Sequence, residues 1–419
     1  MELLKWLYPG MRVKRWVLLF LAGITALGLG IAYVLVDVYR EQPLPPVFYY
    51  LTLQFLPRLG RALLLGIVGI SLAVIGLVGL NRSLLSAFPQ IPQERLVDAV
   101  YRRRARRRGP KIVAIGGGTG LSTLLRGLKE VTDNLTGVVT VADDGGSSGR
   151  LRRDMGVLPP GDFRQCIAAL ADAEPLMSQL LQYRFGNGDL GGHSFGNLFL
   201  VAMSEISGSF EEGLRQSSRV LAVRGRVVPS TLENVVLCAE LANAAVVHGE
   251  SQVPHGGAAV RRVFLEPADV RAYPEAVSAI LDADLIVIGP GSLYTSVMPN
   301  LLVREIRAAL QAAHAPVVYV CNVATQPGET DGYDVVDHVE ALTRHIGPGL
   351  IDFVLVDSGP PPRFPPEWGV TPVWTGSNQV VGIPVISKDL RSSQRPTRHD
   401  PVKLAQAIVA VYEQYEITS

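Results

Sequence analysis

Cysteine is scarce in this 419-residue chain, and the three present, Cys166, Cys238 and Cys321, stand far apart with no C-x-x-C spacing. An odd, dispersed set fits a reducing compartment and argues against a disulfide framework or a zinc cluster. A surplus of one charge is lacking too, because 39 Lys and Arg face 38 Asp and Glu. No G-x-x-x-x-G-K-[ST] P-loop occurs, and Ser194 lacks the G-x-S-x-G context of a nucleophile elbow.

Apolar residues are in excess instead, at 48%, with a mean hydropathy of +0.25 that is high for a soluble protein. Two uncharged runs hold many of them, 17–36 and 62–80. Each is long enough to cross roughly 30 Å of hydrocarbon as a helix. The first exceeds a signal-peptide core and has no clear A-x-A site after it, so two retained transmembrane helices are expected, with a buried helical hairpin as the alternative. Lys5, Arg12, Lys14 and Arg15 precede the first run, and Arg82, Arg95 and a cluster from Arg102 to Arg108 follow the second. Basic flanks stay in the cytoplasm, so the expected location is the cell membrane, multi-pass, with both termini cytoplasmic. Neither run has an ionisable residue suited to transport, which makes the hairpin an anchor.

The basic run YRRRARRRGP, 101–110, follows the second span and is expected to lie along anionic headgroups, at about 1 kcal/mol per charge. Nucleic acid is the alternative partner, but no stacking aromatics or basic helix continue the run. The expected organisation is therefore a membrane anchor over 1–82, a basic juxtamembrane linker over 83–110, and a globular domain over 111–419.

In that domain short apolar strands, near 111–116, 138–142, 284–288, 316–321 and 351–356, alternate with helical patterns. Such alternation calls for an α/β fold, a doubly wound, Rossmann-like and mostly parallel sheet. A helical insertion is expected over about 160–224, followed by β-like runs at 234–239 and 244–248 that suggest an inserted hairpin or a small antiparallel edge.

Ligands of such sheets bind beyond the carboxyl ends of the strands. The first strand runs into Gly116, Gly117, Gly118, Thr119 and Gly120 and then a helix, an arrangement that favours phosphate, although a tight turn binding nothing is the plain alternative. The second strand ends at Asp143 and Asp144, adjacent carboxylates suited to a ribose or to Mg²⁺ with its waters. Gly146, Ser147 and Ser148 then offer donors to a second anion; a solvated turn would also explain the run.

Asp162 reads as the N-cap of a helix from Phe163 or as a ligand contact, and Arg164 as a phosphate partner. His193 and Asn197 cluster at another helix start, and Thr231 and Asn234 lie in a polar turn. A second glycine loop, Gly289 to Ser292 with Thr295 beyond it, repeats the first, as expected at a switch point. Asn322, Thr325, Gln326 and Glu329 would form a loop over the same rim.

In order, GGGTG, ADDGGSSG, PPGDFRQC, GHSFGNL, GPGSLYTSV and NVATQPGETDGY resemble the YvcK/CofD-like superfamily, specifically its YvcK-like, gluconeogenesis-factor branch. The resemblance runs from Lys111 to about the C-terminus and leaves residues 1–110 outside. It implies binding of UDP-sugars such as UDP-N-acetylglucosamine, a regulatory role in carbon metabolism, cell shape and envelope synthesis, and no established catalysis. The CofD branch implies a Mg²⁺-dependent phospholactate transferase using a nucleotide-activated donor. Gly117, Gly118 and Thr119 would then cradle phosphates, Asp143 and Asp144 would serve ribose or metal, and Asn197, Gly291 and Ser292 would line the nucleotide cleft. The expected function is a tethered UDP-sugar-binding regulator, with the transferase as alternative. A homo-oligomer is compatible with either, and protein partners stay unnamed. A NAD-dependent dehydrogenase is weaker, since no His or Lys with a carboxylate partner stands out.

Overall fold

The computed structural model describes scattered residues between 22 and 75 and, nearly without break, residues 105–418, apart from 173–174 and 360–361. Two compact units result, Met1–Ala105 and Arg106–Ser419. In the first, about half of each apolar run, 17–36 and 62–80, and all of the basic stretch 101–104 lie outside the described residues. Among the described residues no helix is long and apolar enough to cross a membrane. Those that are described, including Ile24, Ile31, Leu63, Ile67, Ile70 and Ile75, are helical and exposed.

The second unit starts before Lys111. Arg106 lies within reach of Glu130, at 3.4 Å, and of Asp133, at 3.5 Å, so this arginine belongs to the folded unit and not to a free linker.

An eight-stranded sheet organises this unit. Its strands are β1 (Ile112–Gly116), β2 (Leu135–Val139), β3 (Arg226–Pro229), β7 (Leu285–Ile288), β8 (Val317–Val320), β9 (Phe353–Asp357), β10 (Gln379–Val380) and β11 (Ile383–Lys388). The spatial order is β10-β11-β9-β8-β7-β1-β2-β3, parallel throughout except for β10 against β11. The chain winds outward from β1 to β3, returns to the middle at β7, and winds the other way. That reversal is the double winding expected, with its switch point between β1 and β7.

Every residue of β1, β2, β7 and β8 is buried, because helices cover both faces of the sheet. The first crossover helix, α1 (Gly118–Leu128), turns Leu121, Leu124, Leu125 and Leu128 fully inward. It also receives the C-terminal helix, Pro401–Thr418, at Gly127, where a Cβ would sit 2.0 Å from the Pro401 carbonyl oxygen.

Three expectations are corrected. The second strand occupies 135–139, not 138–142, because its ladder with both neighbours ends at Gly116 and Pro229, and beyond Val139 only the Thr140 amide still reaches the Gly116 carbonyl, at 3.1 Å. The glycine–serine run is no solvated turn: Gly145 is the N-cap and Gly146 to Gly149 form the first turn of α2 (Gly146–Met155). Asp162 is no N-cap, since α3 (Pro160–Leu170) begins with Pro160, whose fixed φ and missing N–H suit a first helical position, and Asp162 falls two residues further on.

The helical stretch expected over 160–224 is present, and includes α4 (Pro175–Gln182), α5 (Phe195–Ser207) and α6 (Phe210–Val220). The antiparallel edge is a separate three-stranded sheet, β5 (Val246–His248), β4 (Val236–Leu241) and β6 (Val260–Glu266), in that order. Its third strand was not read from the sequence.

Candidate functional site

At the switch point the two glycine loops meet. The loop after β1 enters α1 through Gly117 and Gly118, and Gly118 takes φ +57, a left-handed conformation that favours glycine. Space excludes side chains as well. A Cβ on Gly120 would lie 2.2 Å from the Pro290 carbonyl oxygen, and one on Gly117 would lie 2.5 Å from Asp162 Oδ2. No side chain caps α1, and its first turn holds no acid of its own. The amides of Thr119 and Gly120 have no acceptor among the described residues, so they and the helix dipole face the cleft as anion donors.

The second loop is held from the side. Asn322 donates through Nδ2 to the Gly291 carbonyl at 2.8 Å and accepts from the Gly291 amide at 3.3 Å. Gln326 donates to Ser292 Oγ at 2.5 Å, and Thr295 donates to Glu329 at 3.1 Å. Asn300, from the short helix after this loop, donates to the Gly116 carbonyl at 3.0 Å, which ties the two loops together.

A cavity of about 990 Å³ opens between them. Gly117, Gly118, Thr119, Gly120, Asp143, Asp162, Gly291, Ser292, Thr295 and Asn322 line it, as the sequence reading grouped them, and Thr325 and Gln326 form part of its rim.

The other candidates lie elsewhere, each with a local partner. Gly116 and Gly289 sit behind the loops; Gly289, at φ +76, donates its amide to Ile115. Asp144 turns from the cavity and accepts from the Ser251 amide at 2.8 Å, so the adjacent pair splits, with only Asp143 facing in. Ser147 sits between His193 Nδ1, at 3.1 Å, and Asn197 Nδ2, at 3.0 Å. Burial holds His193 below its ordinary pKa, so the ring that shares a hydrogen bond with the Ser147 hydroxyl is the neutral one. Ser148 accepts from the Gly161 amide at 3.1 Å. Gly146 opens α2 outside the cavity lining.

Arg164 is buried and reaches the Leu181 carbonyl at 3.4 Å, not the cavity. Thr231 is buried and accepts from the Glu233 amide at 3.1 Å. Asn234 accepts from Arg152 Nε at 2.8 Å; the same arginine also reaches the Val235 carbonyl.

Three carboxylates enter the cavity, from Asp143, Asp162 and Glu250, with Glu329 close behind. Removal from water raises all four, and neighbouring negative charge adds to it: Asp144 acts on Asp143, Asp143 acts on Asp162, and Asp143, Asp162 and Glu329 act on Glu250. Asp162 is pushed up to about 7, although the Gly118 amide donates to it. Glu250 rises to about 8 and Glu329 to about 7.

Opposite in charge is a segment the sequence reading missed, Gln394 to His399. It brings Arg395 and Arg398 to the cavity, both exposed and without an ion-pair partner among the described residues. Trp368, 45% exposed, supplies an aromatic face at the cavity lining. No spacing ties these residues to the glycine loops; a polar run with two arginines was the only signal.

Comparison with known proteins agrees with this architecture. Residues 112–367 match the sequence profile described as 2-phospho-L-lactate transferase CofD. A Bacillus subtilis relative named "Gluconeogenesis factor" is 54% identical over 250 residues, covering 59% of this chain and 79% of its own. A Nostoc relative named "Putative gluconeogenesis factor" is 45% identical over 421 residues, 97% of this chain and 92% of its own. That match leaves too few residues over to omit the N-terminal 110, so the likeness reaches beyond the motif-bearing region. A crystal structure of a UPF0052 family member from Bacillus halodurans superposes with a TM-score of 0.68 at 45% identity, over 72% of this chain and 99% of that one. With its ordered motifs, its double-wound sheet and these matches, the chain belongs to the CofD/YvcK-like family of gluconeogenesis factors.

Proposed function

We propose that this chain is a membrane-tethered, cytoplasm-facing protein that binds a UDP-sugar of the UDP-N-acetylglucosamine kind and thereby regulates carbon metabolism, cell shape and envelope synthesis. The observation that carries the binding part is the cavity at the switch point, where two glycine loops and a free helix N-terminus meet. Its volume lies within the range of small-molecule sites. The diphosphate would take the Thr119 and Gly120 amides together with Arg395 and Arg398, and the base would lie against Trp368. Supporting the tether are the two uncharged runs, their basic flanks, and the exposed apolar residues described along them.

One observation favours a second reading, a transferase of phosphorus-containing groups: carboxylates crowd the cavity beside the phosphate loop, and the matched profile is named for a phospholactate transferase. Mg²⁺ keeps several waters and takes one or two carboxylates, which Asp143 and Asp162 offer, with Glu250 near. Such an ion would neutralise charge on a donor's phosphates. Asp143 and Asp162 would hold it, while the α1 amides orient the phosphates.

Calorimetric titration of the full chain in detergent with UDP-N-acetylglucosamine, with and without Mg²⁺ and with GDP as control, separates the two. Selective binding of the UDP-sugar without its consumption supports the regulator. Preference for GDP with a strict Mg²⁺ requirement supports the transferase, and no binding of either removes both. For the tether, the chain should stay with membranes after an alkaline wash; release into the supernatant would overturn that part.

A further inference from the structure

We propose that Cys238, His248 and Glu266 form a binding site for a divalent transition metal of the zinc class. The three residues come from the three strands of the antiparallel sheet, β4, β5 and β6. Cys238 lies directly opposite His248 in the register, and Glu266 opposite Val236, one pleat along the same face as Cys238. Among the described residues this is the one group of three such donors whose ligand atoms all lie within 4.8 Å of one another.

Its dimensions suit the ion. Cys238 Sγ is 3.2 Å from His248 Nδ1, and His248 Nδ1 is 3.4 Å from Glu266 Oε2. A tetrahedral Zn²⁺ with bonds of about 2.3 Å to sulfur and about 2.0–2.1 Å to nitrogen or oxygen has donor–donor edges of roughly 3.3–3.6 Å, so the imidazole–carboxylate edge matches and the sulfur–imidazole edge would open by a few tenths of an ångström. The sulfur, imidazole and carboxylate set suits zinc rather than Mg²⁺ or Ca²⁺, which prefer oxygen alone.

Without an ion, the thiol and ring protons bridge these groups, with one ring nitrogen facing both the sulfur and the carboxylate. A cation would satisfy all three donors. The side chains of His248 and Glu266 are 59% and 51% exposed, so solvent reaches the site and water can complete the coordination. Such an ion would also pin the end of β5, two residues before Glu250 enters the cleft.

The test uses the full chain, without a polyhistidine tag, stripped with chelator and titrated with Co²⁺ and then Zn²⁺. One equivalent of Co²⁺ should bind with a thiolate-to-cobalt charge-transfer band, and Zn²⁺ should displace it. Cys238→Ser should abolish the band, and His248→Gln and Glu266→Gln should each weaken Zn²⁺ binding at least tenfold. Should Cys238→Ser fail to fold, the two substitutions at exposed positions decide. Absence of the band, its persistence in folded Cys238→Ser, or unchanged Zn²⁺ affinity in His248→Gln and Glu266→Gln would each overturn the site.

Discussion

The two glycine loops look alike in sequence, yet different forces hold them. In the loop after β1 the glycines answer to space: Gly117 and Gly120 leave no room for a Cβ against Asp162 and the Pro290 backbone. The loop after β7 answers to polar bonds from a neighbouring strand end, because Asn322 grips both the amide and the carbonyl of Gly291. At Gly291 a Cβ would meet its nearest neighbours at ordinary contact distance, Ser296 Cβ at 3.4 Å and the Gly117 carbonyl and Val297 Cγ2 at 3.6 Å. The first loop is thus a packing joint that also offers helix amides, and the second is a rim set in place by side chains.

The contrast is broken most forcefully at Gly120. Gly120→Ala drives a methyl into a backbone carbonyl that no rotamer can move, and should destabilise the unit by about 3 kcal/mol, read as a lowered thermal or denaturant midpoint. Asn322→Ala should cost about 1–2 kcal/mol, since it strands the two backbone groups of Gly291. It should also weaken UDP-sugar binding more than it lowers stability, checked by titration beside a melt.

A pH series sharpens the electrostatic side of the comparison. Asp162, Glu250 and Glu329 ionise around pH 7–8, so Mg²⁺-free affinity for a diphosphate sugar should fall on the order of tenfold from pH 6 to pH 8.5. Asp162→Asn should flatten that profile. Stability follows the same sign: the folded state binds these protons more tightly than the unfolded chain, so stability declines as pH rises from the ordinary carboxylate range, about 4, through about 8. Asp162→Asn should therefore gain thermal midpoint relative to the parent at pH 8.5 and little at pH 4. Gly291→Ala has the smallest expected effect, within about 0.5 kcal/mol in stability. A large loss there would show that both loops are packing joints.

Acid and base in the cleft differ in how far the sequence revealed them. Asp143 and Asp162 stand directly after strand and turn signals, so their place at the carboxyl edge was legible. Glu250 follows β5 of the inserted sheet, and Arg395, Arg398 and Trp368 come from more than a hundred residues beyond either acid. Only the closing of the C-terminal segment over β8 and β9 brings them in. The opposite error arose at His193, Asn197 and Asn234. Polar clusters at helix starts and turns look like ligand contacts, but here Ser147 takes up the buried His193 and Asn197, the ordinary fate of buried polar groups, and Arg152 takes up the exposed Asn234.

By itself the sequence determined the α/β class, the central strands and the pairing of the two glycine loops, because hydrophobic periodicity and glycine chemistry are local. The tertiary structure decided which polar residues share the cavity, that Asp143 and Asp144 part company, and that the register of three neighbouring strands brings Cys238, His248 and Glu266 together. Those facts depend on register and on chain segments meeting across large separations, and neither is written in residue spacing.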